Sequence, residues 1–235
     1  MGRRYARRQA LATKGVDARF FTAYVVRIMW TRHDLRRESF IDYDSHWLSE
    51  PEASEWFAWC MEYFPWEQRA IVAGGKEVMQ PRLMAWAGDL PYRYSGQTLE
   101  PRPLEGRLLS LCERASEAAG EVFNHVVINR YRNGRDHIGM HSDAEFELGK
   151  DPVIASLSLG CERAFVIQPK DKRGRKQSKR FPLEHGSMLI MGGSFQHRWR
   201  HALPKSGTDQ ERLNITFRRL HGPPGWRWWE AASEE

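Results

Sequence analysis

The spacing of apolar residues changes character near position 120. Before it, the clearest pattern is helical. Trp56, Trp59, Cys60, Tyr63 and Phe64 recur at three- and four-residue intervals, as one buried helix face requires. Ser49 and Glu52 form a capping box ahead of them, Pro51 suits a first turn, and Pro65 ends the segment. A second helix is predicted where Leu104, Leu108, Leu111, Cys112 and Ala115 line one face, with Pro103 starting it and Gly120 ending it. Beyond Gly120 the period is that of strands: Val122–Tyr131, Val153–Leu159, Arg163–Gln168, Ser187–Met191 and Arg212–Leu220. Ile71–Met79, broken by Gly74 and Gly75, reads as a hairpin, and Pro81–Gly96 as an aromatic, glycine-rich loop. Residues 1–45 carry an apolar patch from Phe20 to Trp30 but no assignable period. Short strands separated by turn signals predict a β-sandwich or jelly roll, mainly β with flanking helices.

Composition narrows this picture. At 235 residues the chain suits one large domain, or one with a modest extension. Hydrophobic residues at 41% and charged residues at 28% exclude a wholly disordered or collagenous chain, and no apolar stretch is long enough for a membrane helix. The Arg-rich start lacks the apolar run of a secretory signal, so an intracellular protein is expected, cytoplasmic in a bacterium or nuclear in a eukaryote. Cys60, Cys112 and Cys161 are odd in number and far apart, the pattern of reduced, structural thiols.

Charge adds a partner. Seven of the basic residues lie between Lys170 and Arg180 against one acid, Asp171, and this stretch accounts for the whole formal charge of +6. Flanked by strand-like segments, it reads as a projecting basic hairpin, either a solvated loop or a contact for a polyanion such as nucleic acid. Arg3, Arg4, Arg7 and Arg8 form a second basic group.

Three constellations bear on chemistry. His141 is the histidine with a carboxylate two positions on, Asp143. Chance yields such a pair roughly 0.4 times in a chain of this composition, so the motif needs support. On an extended segment His141, Asp143 and Glu145 project from one face. With a third histidine, His197 or His201, the first two would complete a two-His-one-carboxylate triad that leaves positions open on Fe(II); His185 is more simply structural. In the second constellation Arg212, Asn214, Thr216 and Arg218 alternate with Leu213, Ile215 and Phe217. A polar face with an arginine at each end, about 20 Å apart along the strand, suits a small dicarboxylate such as 2-oxoglutarate, with Asn129 and Tyr131 offering neutral hydrogen bonds. An ordinary half-exposed strand would also alternate. The third is Pro81–Gly96, where Trp86, Tyr92 and Tyr94 alternate with arginines and are either core residues or stacking partners for unpaired bases.

Taken together, the motifs Asn129-Arg130-Tyr131, His141-Ser142-Asp143, Ile154–Gly160, His185-Gly186-Ser187, Trp199-Arg200-His201 and Arg212–Arg218 resemble those of the AlkB family of Fe(II)- and 2-oxoglutarate-dependent dioxygenases, nucleic-acid repair branch, over Pro81–Leu220. The resemblance implies a double-stranded β-helix (jelly roll) core over residues 81–222; residues 1–80, read as an N-terminal extension packing on that core, and the Trp-rich tail over 223–235 have no counterpart in it. It selects His201 over His197, so that His141, Asp143 and His201 hold Fe(II). It assigns 2-oxoglutarate to Arg212 and Arg218, helped by Asn129, Tyr131, Asn214 and Thr216, and the substrate base to Tyr92, Tyr94 and Glu145. The implied reaction uses O2 and 2-oxoglutarate to demethylate N-alkylated bases such as 1-methyladenine and 3-methylcytosine in DNA or RNA, releasing formaldehyde, succinate and CO2. A monomer without membrane contact is expected. Two rival readings are a nucleic-acid-binding module with a structural metal site and a 2-oxoglutarate-dependent hydroxylase acting on protein or lipid.

Overall fold

A computed structural model describes residues 30–73, 75–94, 97–171 and 177–222. The basic stretch 172–176, the arginine group near the N-terminus and the Trp-rich tail lie outside them. The chain opens with β1 (Thr31–Asp34) and β2 (Ser39–Asp44), then α1 (Glu50–Tyr63), β3 (Ala70–Ala73), β4 (Lys76–Met79), β5 (Leu83–Gly88), β6 (Tyr92–Tyr94), β7 (Gln97–Leu99) and α2 (Gly106–Ala119). There follow β8 (His125–Tyr131), β9 (Ile138–His141), β10 (Ile154–Gly160), β11 (Arg163–Pro169), β12 (Lys179–Leu183), β13 (Met188–Gly193), the short α3 (Phe195–Arg198), β14 (Trp199–Leu203) and β15 (Arg212–Arg218). Seven strands in the order β1-β2-β13-β10-β15-β8-β5 make the large sheet, and β12-β11-β14-β9 make the small one. The pairings are antiparallel.

Strand parity decides what each face of the large sheet meets. Ala155, Leu157, Leu159, Leu213, Ile215, Phe217, Val126 and Ile128 point to one side and pack with Trp56, Cys60, Leu108, Leu111 and Ala115 of α1 and α2. Their neighbours point to the other side, toward the small sheet, where Val127, Tyr131, Ile154, Phe165, Ile167 and Trp199 form a second core. The helices thus back the sheet, and the space between the sheets is left for function.

The predicted helices form, with informative differences at their starts. Ser49 Oγ accepts from the Glu52 amide at 3.4 Å, but Glu52 directs its carboxylate to Arg114 of α2, so the cap also clamps the two helices together. Gly120, at φ +64°, ends α2 as expected. That helix begins at Gly106 rather than Pro103 because Arg102 is held extended, bonded in both directions to Gly88. Ile71–Met79 does contain a hairpin, β3–β4.

Of the segment read as a loop, the described part, 81–94, is largely strand. It contains β5, which pairs with β8, and β6. In β5, Met84 and Trp86 enter one core while Ala85 and Ala87 enter the other, so no polar residue marks the alternation. Trp86 is core: Arg102 lies 3.5 Å above its ring and its indole N–H reaches the Glu100 carbonyl. β1 and β2, within the stretch read as an extension, are strands of the large sheet, β2 pairing with β13.

Gly193, at the end of β13, adopts φ +61°, and a Cβ there would collide with the Glu38 carbonyl. Gly193→Ala is expected to cost about 2 kcal/mol or more through left-handed strain and overpacking. Gly207→Ala, where a Cβ meets nothing within 4 Å, should leave the urea midpoint unchanged.

Candidate active site

Between the sheets, β14 pairs with β9 so that His201 lies directly opposite His141. Their ring centroids are 4.2 Å apart. Asp143 follows β9 by two residues, with its Oδ1 3.5 Å from His141 Nε2. One ligand atom from each of the three side chains lies within 4.8 Å of the others. His141 Nδ1 lies 2.9 Å from the Gly139 carbonyl. That contact sets the tautomer in which Nε2 keeps its lone pair for a metal. His201 is buried, and its Nδ1 has no hydrogen-bond partner among the described residues.

Charge keeps this set ready for a cation. Burial alone would raise the Asp143 carboxyl, but Arg218, whose Nη2 donates to Asp143 Oδ2 at 2.8 Å, holds it well below the usual carboxylate range with help from both histidines. Burial and the neighbouring His141 push His201 down to about 3, so its ring is neutral at physiological pH. A carboxylate, the neutral His201 ring and the Nε2 of His141 around open space are the donors that Fe(II) takes. Gln196, fully buried, accepts from the Asp143 amide at 3.0 Å and fixes the backbone there.

The large sheet supplies the facing wall. Arg212, Asn214, Thr216 and Arg218 all point into the same cavity as the triad, with Asn129, Tyr131 and Tyr94 beside them. Every residue of β15 is buried, so the polar face is enclosed rather than solvated. Arg212 donates Nη2 to Ser158 Oγ at 2.9 Å, while its Nε has no partner among the described residues. Arg218 likewise keeps Nε and Nη1 unpartnered after bonding Asp143. Buried guanidinium N–H groups without acceptors are costly, and a small dianion in the cavity would satisfy them. Asn214 bonds Ser156 Oγ and Thr216, and Asn129 accepts from Arg82 at 2.7 Å.

Residues 42–218 match the model of the 2OG-Fe(II) oxygenase superfamily. The chain is 40% identical over 186 residues to bovine alpha-ketoglutarate-dependent dioxygenase alkB homolog 3, a match that takes in 76% of this chain and 65% of the relative. It is 39% identical over 168 residues to mouse DNA oxidative demethylase ALKBH2, covering 68% of this chain and 70% of that protein. The chain belongs to the AlkB family of 2OG-Fe(II) oxygenases. It spans slightly less than two thirds of the alkB homolog 3 relative's length. The solved structure of OsALKBH1 shares the fold, with a TM-score of 0.57 at 15% identity over 80% of this chain and 100% of that one.

Within this AlkB-family fold the remaining residues fall into place. His197 is exposed and faces Asp151 at 3.4 Å, away from the triad. His185 is structural, its Nδ1 accepting from the Gly160 amide at 2.8 Å. Tyr94 lines the cavity and receives Arg82 Nη2 at 3.1 Å. Tyr92 is fully buried against Tyr94 and His125, with Arg218 5.8 Å from its ring centroid, and it faces Glu145. Burial, then Asp143, raises the Glu145 carboxyl above its ordinary value. Ser156, Ser158, Gln196 and Arg82 support the site without having been singled out. The alternating serines of Ile154–Gly160 were a usable signal, because a buried strand rarely carries polar residues without a task. Nothing local marked Gln196 or Arg82.

Proposed function

We propose that this protein is a nucleic-acid demethylase that removes methyl groups from ring nitrogens of bases such as 1-methyladenine and 3-methylcytosine, in DNA or RNA, acting as a monomer. The observation that carries the reading is the joint presence, in one enclosed cavity, of the His141–Asp143–His201 set and the unpartnered guanidinium N–H groups of Arg212 and Arg218. The name of the mouse relative, a DNA oxidative demethylase, supports the substrate class.

His141, Asp143 and His201 would hold Fe(II), and Arg212 would receive a carboxylate of 2-oxoglutarate. When bound, this pair would activate O2, the oxidant: one oxygen atom would go to 2-oxoglutarate as it loses CO2 to become succinate, and the other to the methyl group, which would leave as formaldehyde. The chain's own work is positioning. Arg218 keeps Asp143 ionised as a ligand, the Gly139 carbonyl aims His141, and Ser158 and Tyr131 orient Arg212. Tyr94, held by Arg82, borders the cavity where a base would sit, whereas Tyr92, fully buried, and Glu145 do not line it. Entry of the base requires its extrusion from a duplex, which is cheaper when a methylated Watson–Crick edge already pairs poorly.

Coupled turnover tests this reading. With Fe(II), 2-oxoglutarate and air, a 1-methyladenine oligonucleotide should yield formaldehyde and succinate in equal amounts. Succinate without formaldehyde would refute the substrate, and absence of both would refute the activity. Arg212→Lys, which loses the planar fork, should raise the 2-oxoglutarate concentration for half-maximal rate about tenfold or more. An unchanged requirement would remove Arg212 from the dianion site.

A further inference from the structure

Outside the catalytic cavity, a cleft of about 310 Å³ opens where the β1–β2 turn meets the end of β11 and α3. Four cations line it, Arg36 and Arg37 from the turn, Lys170 from the end of β11, and Arg198 from α3, and among the described residues its lining carries one carboxylate, Asp171. Arg36, Arg37 and Arg198 are exposed, and their guanidinium groups make no hydrogen bond or ion pair among the described residues. Elsewhere in the molecule arginines are commonly engaged, as Arg32 is with Asp42, Arg69 and Arg102 with Glu67, and Arg130 with Glu211. With Asp171 as the single described carboxylate in the lining, three arginines without an ion-pair partner among the described residues and a lysine leave the cleft net positive and suited to an anion.

The cleft is also held in shape. Arg37 and Glu38 both take left-handed backbone angles, φ +57° and +60°, a conformation that costs roughly 1–2 kcal/mol per non-glycine residue. The turn is fixed by Ser194 Oγ donating to the Arg37 carbonyl and by the Leu35 amide bonding the Ser39 carbonyl at 2.8 Å. Lys170 Nζ donates to the Gln196 carbonyl at 2.7 Å, and the side chain of the same Gln196 holds the Asp143 amide. Trp199 lines the cleft and stands two residues before His201 on β14, a rise of about 7 Å. The cationic cleft therefore adjoins the metal set through one shared strand and one shared glutamine.

We propose that this cleft seats a phosphodiester of the substrate strand, next to the nucleotide whose base enters the catalytic cavity. The inference rests on the nucleic-acid reading above and adds Arg36, Arg37, Lys170 and Arg198 to it as backbone contacts. Its links to the metal set through β14 and Gln196 put it beside the catalytic cavity. Such contacts give affinity without sequence preference and make it depend on salt.

The test is the binding of a single-stranded 1-methyladenine oligonucleotide, followed by fluorescence anisotropy from 50 to 200 mM salt. Arg36→Ala/Arg198→Ala removes two exposed charges that brace nothing else, so its thermal midpoint should equal that of the wild type. Its Kd at low salt should rise about tenfold, and the slope of log K against log salt should become shallower by about 1.4, since each of the two lost contacts to a single strand removes about 0.7. Arg36→Lys/Arg198→Lys, which keeps both charges, should recover the slope. If the wild type binds and the alanine pair matches it in Kd and slope, the cleft does not hold the strand. A wild type that binds no oligonucleotide would instead overturn the nucleic-acid reading, and this inference with it.

Discussion

Asp143→Ala is expected to abolish turnover, leave oligonucleotide binding largely intact, and lower the stability of the metal-free protein by about 3–5 kcal/mol, the usual cost of breaking a buried ion pair from one side. Both effects come from one carboxylate. Oδ1 sits against His141 as a candidate ligand atom, and Oδ2 accepts from Arg218. The two side chains of this ion pair are only 3–4% exposed. Removing Asp143 leaves a guanidinium enclosed between the sheets without its ion-pair partner. Adding Arg218→Leu should recover much of the lost stability, because it removes the stranded charge, and none of the turnover. Urea titration and formaldehyde release separate the two. Turnover that survives Asp143→Ala would rule out the metal assignment, and an unchanged urea midpoint would contradict the buried pair.

Metal-free protein is expected to lose stability steeply on mild acidification. Burial, then Arg218, pushes His125 down to about 3, and burial, then His141, pushes His201 down to about 3. An unfolded histidine takes up its proton near pH 6.5. Between pH 6.5 and 3 the unfolded chain thus binds protons that the folded chain does not, and stability falls as pH falls, by about 1.4 kcal/mol per pH unit for each ring. Asp143 reinforces the trend from the ordinary carboxylate range downward, where the unfolded carboxylate takes up a proton that the folded one, held well below that range, does not. Glu145, raised by burial and by Asp143, binds its proton earlier in the fold than in the unfolded chain and opposes the trend. His125 provides the control. Neither of its ring nitrogens has a partner among the described residues, so His125→Leu should stabilise the protein at pH 7 and about halve the loss between pH 7 and pH 5. A urea midpoint that does not move with pH, or a His125→Leu variant with the wild-type pH dependence, would contradict this.

How much of the molecule could be read from residues alone depended on whether the signal was local. The polar face of β15 was legible because Arg212, Asn214, Thr216 and Arg218 keep strict alternation even in a strand buried on both sides. Helices α1 and α2 announced themselves through Ser49, Pro51 and Gly120. By contrast, β5 has small or apolar residues on both faces and lost its period, while β1 and β2 are short and charged, with strand character that depends on pairing to each other and to β13. Spacing left the third ligand open between His197 and His201. The resemblance selected His201, and the β9–β14 register brings His201 opposite His141, a long-range pairing that no local window contains. Arg218 was read as a carboxylate clamp for a ligand. Its bond to Asp143 gives it a second task that only the folded geometry reveals.

The most direct test of the central claim is intact-mass spectrometry of a 1-methyladenine oligonucleotide after incubation with the protein, Fe(II), 2-oxoglutarate and air, beside Asp143→Ala. The account predicts loss of one methyl group with the wild type and an unchanged mass with the variant. A substrate that binds the wild type yet keeps its methyl group, with no 2-oxoglutarate consumed, would contradict it.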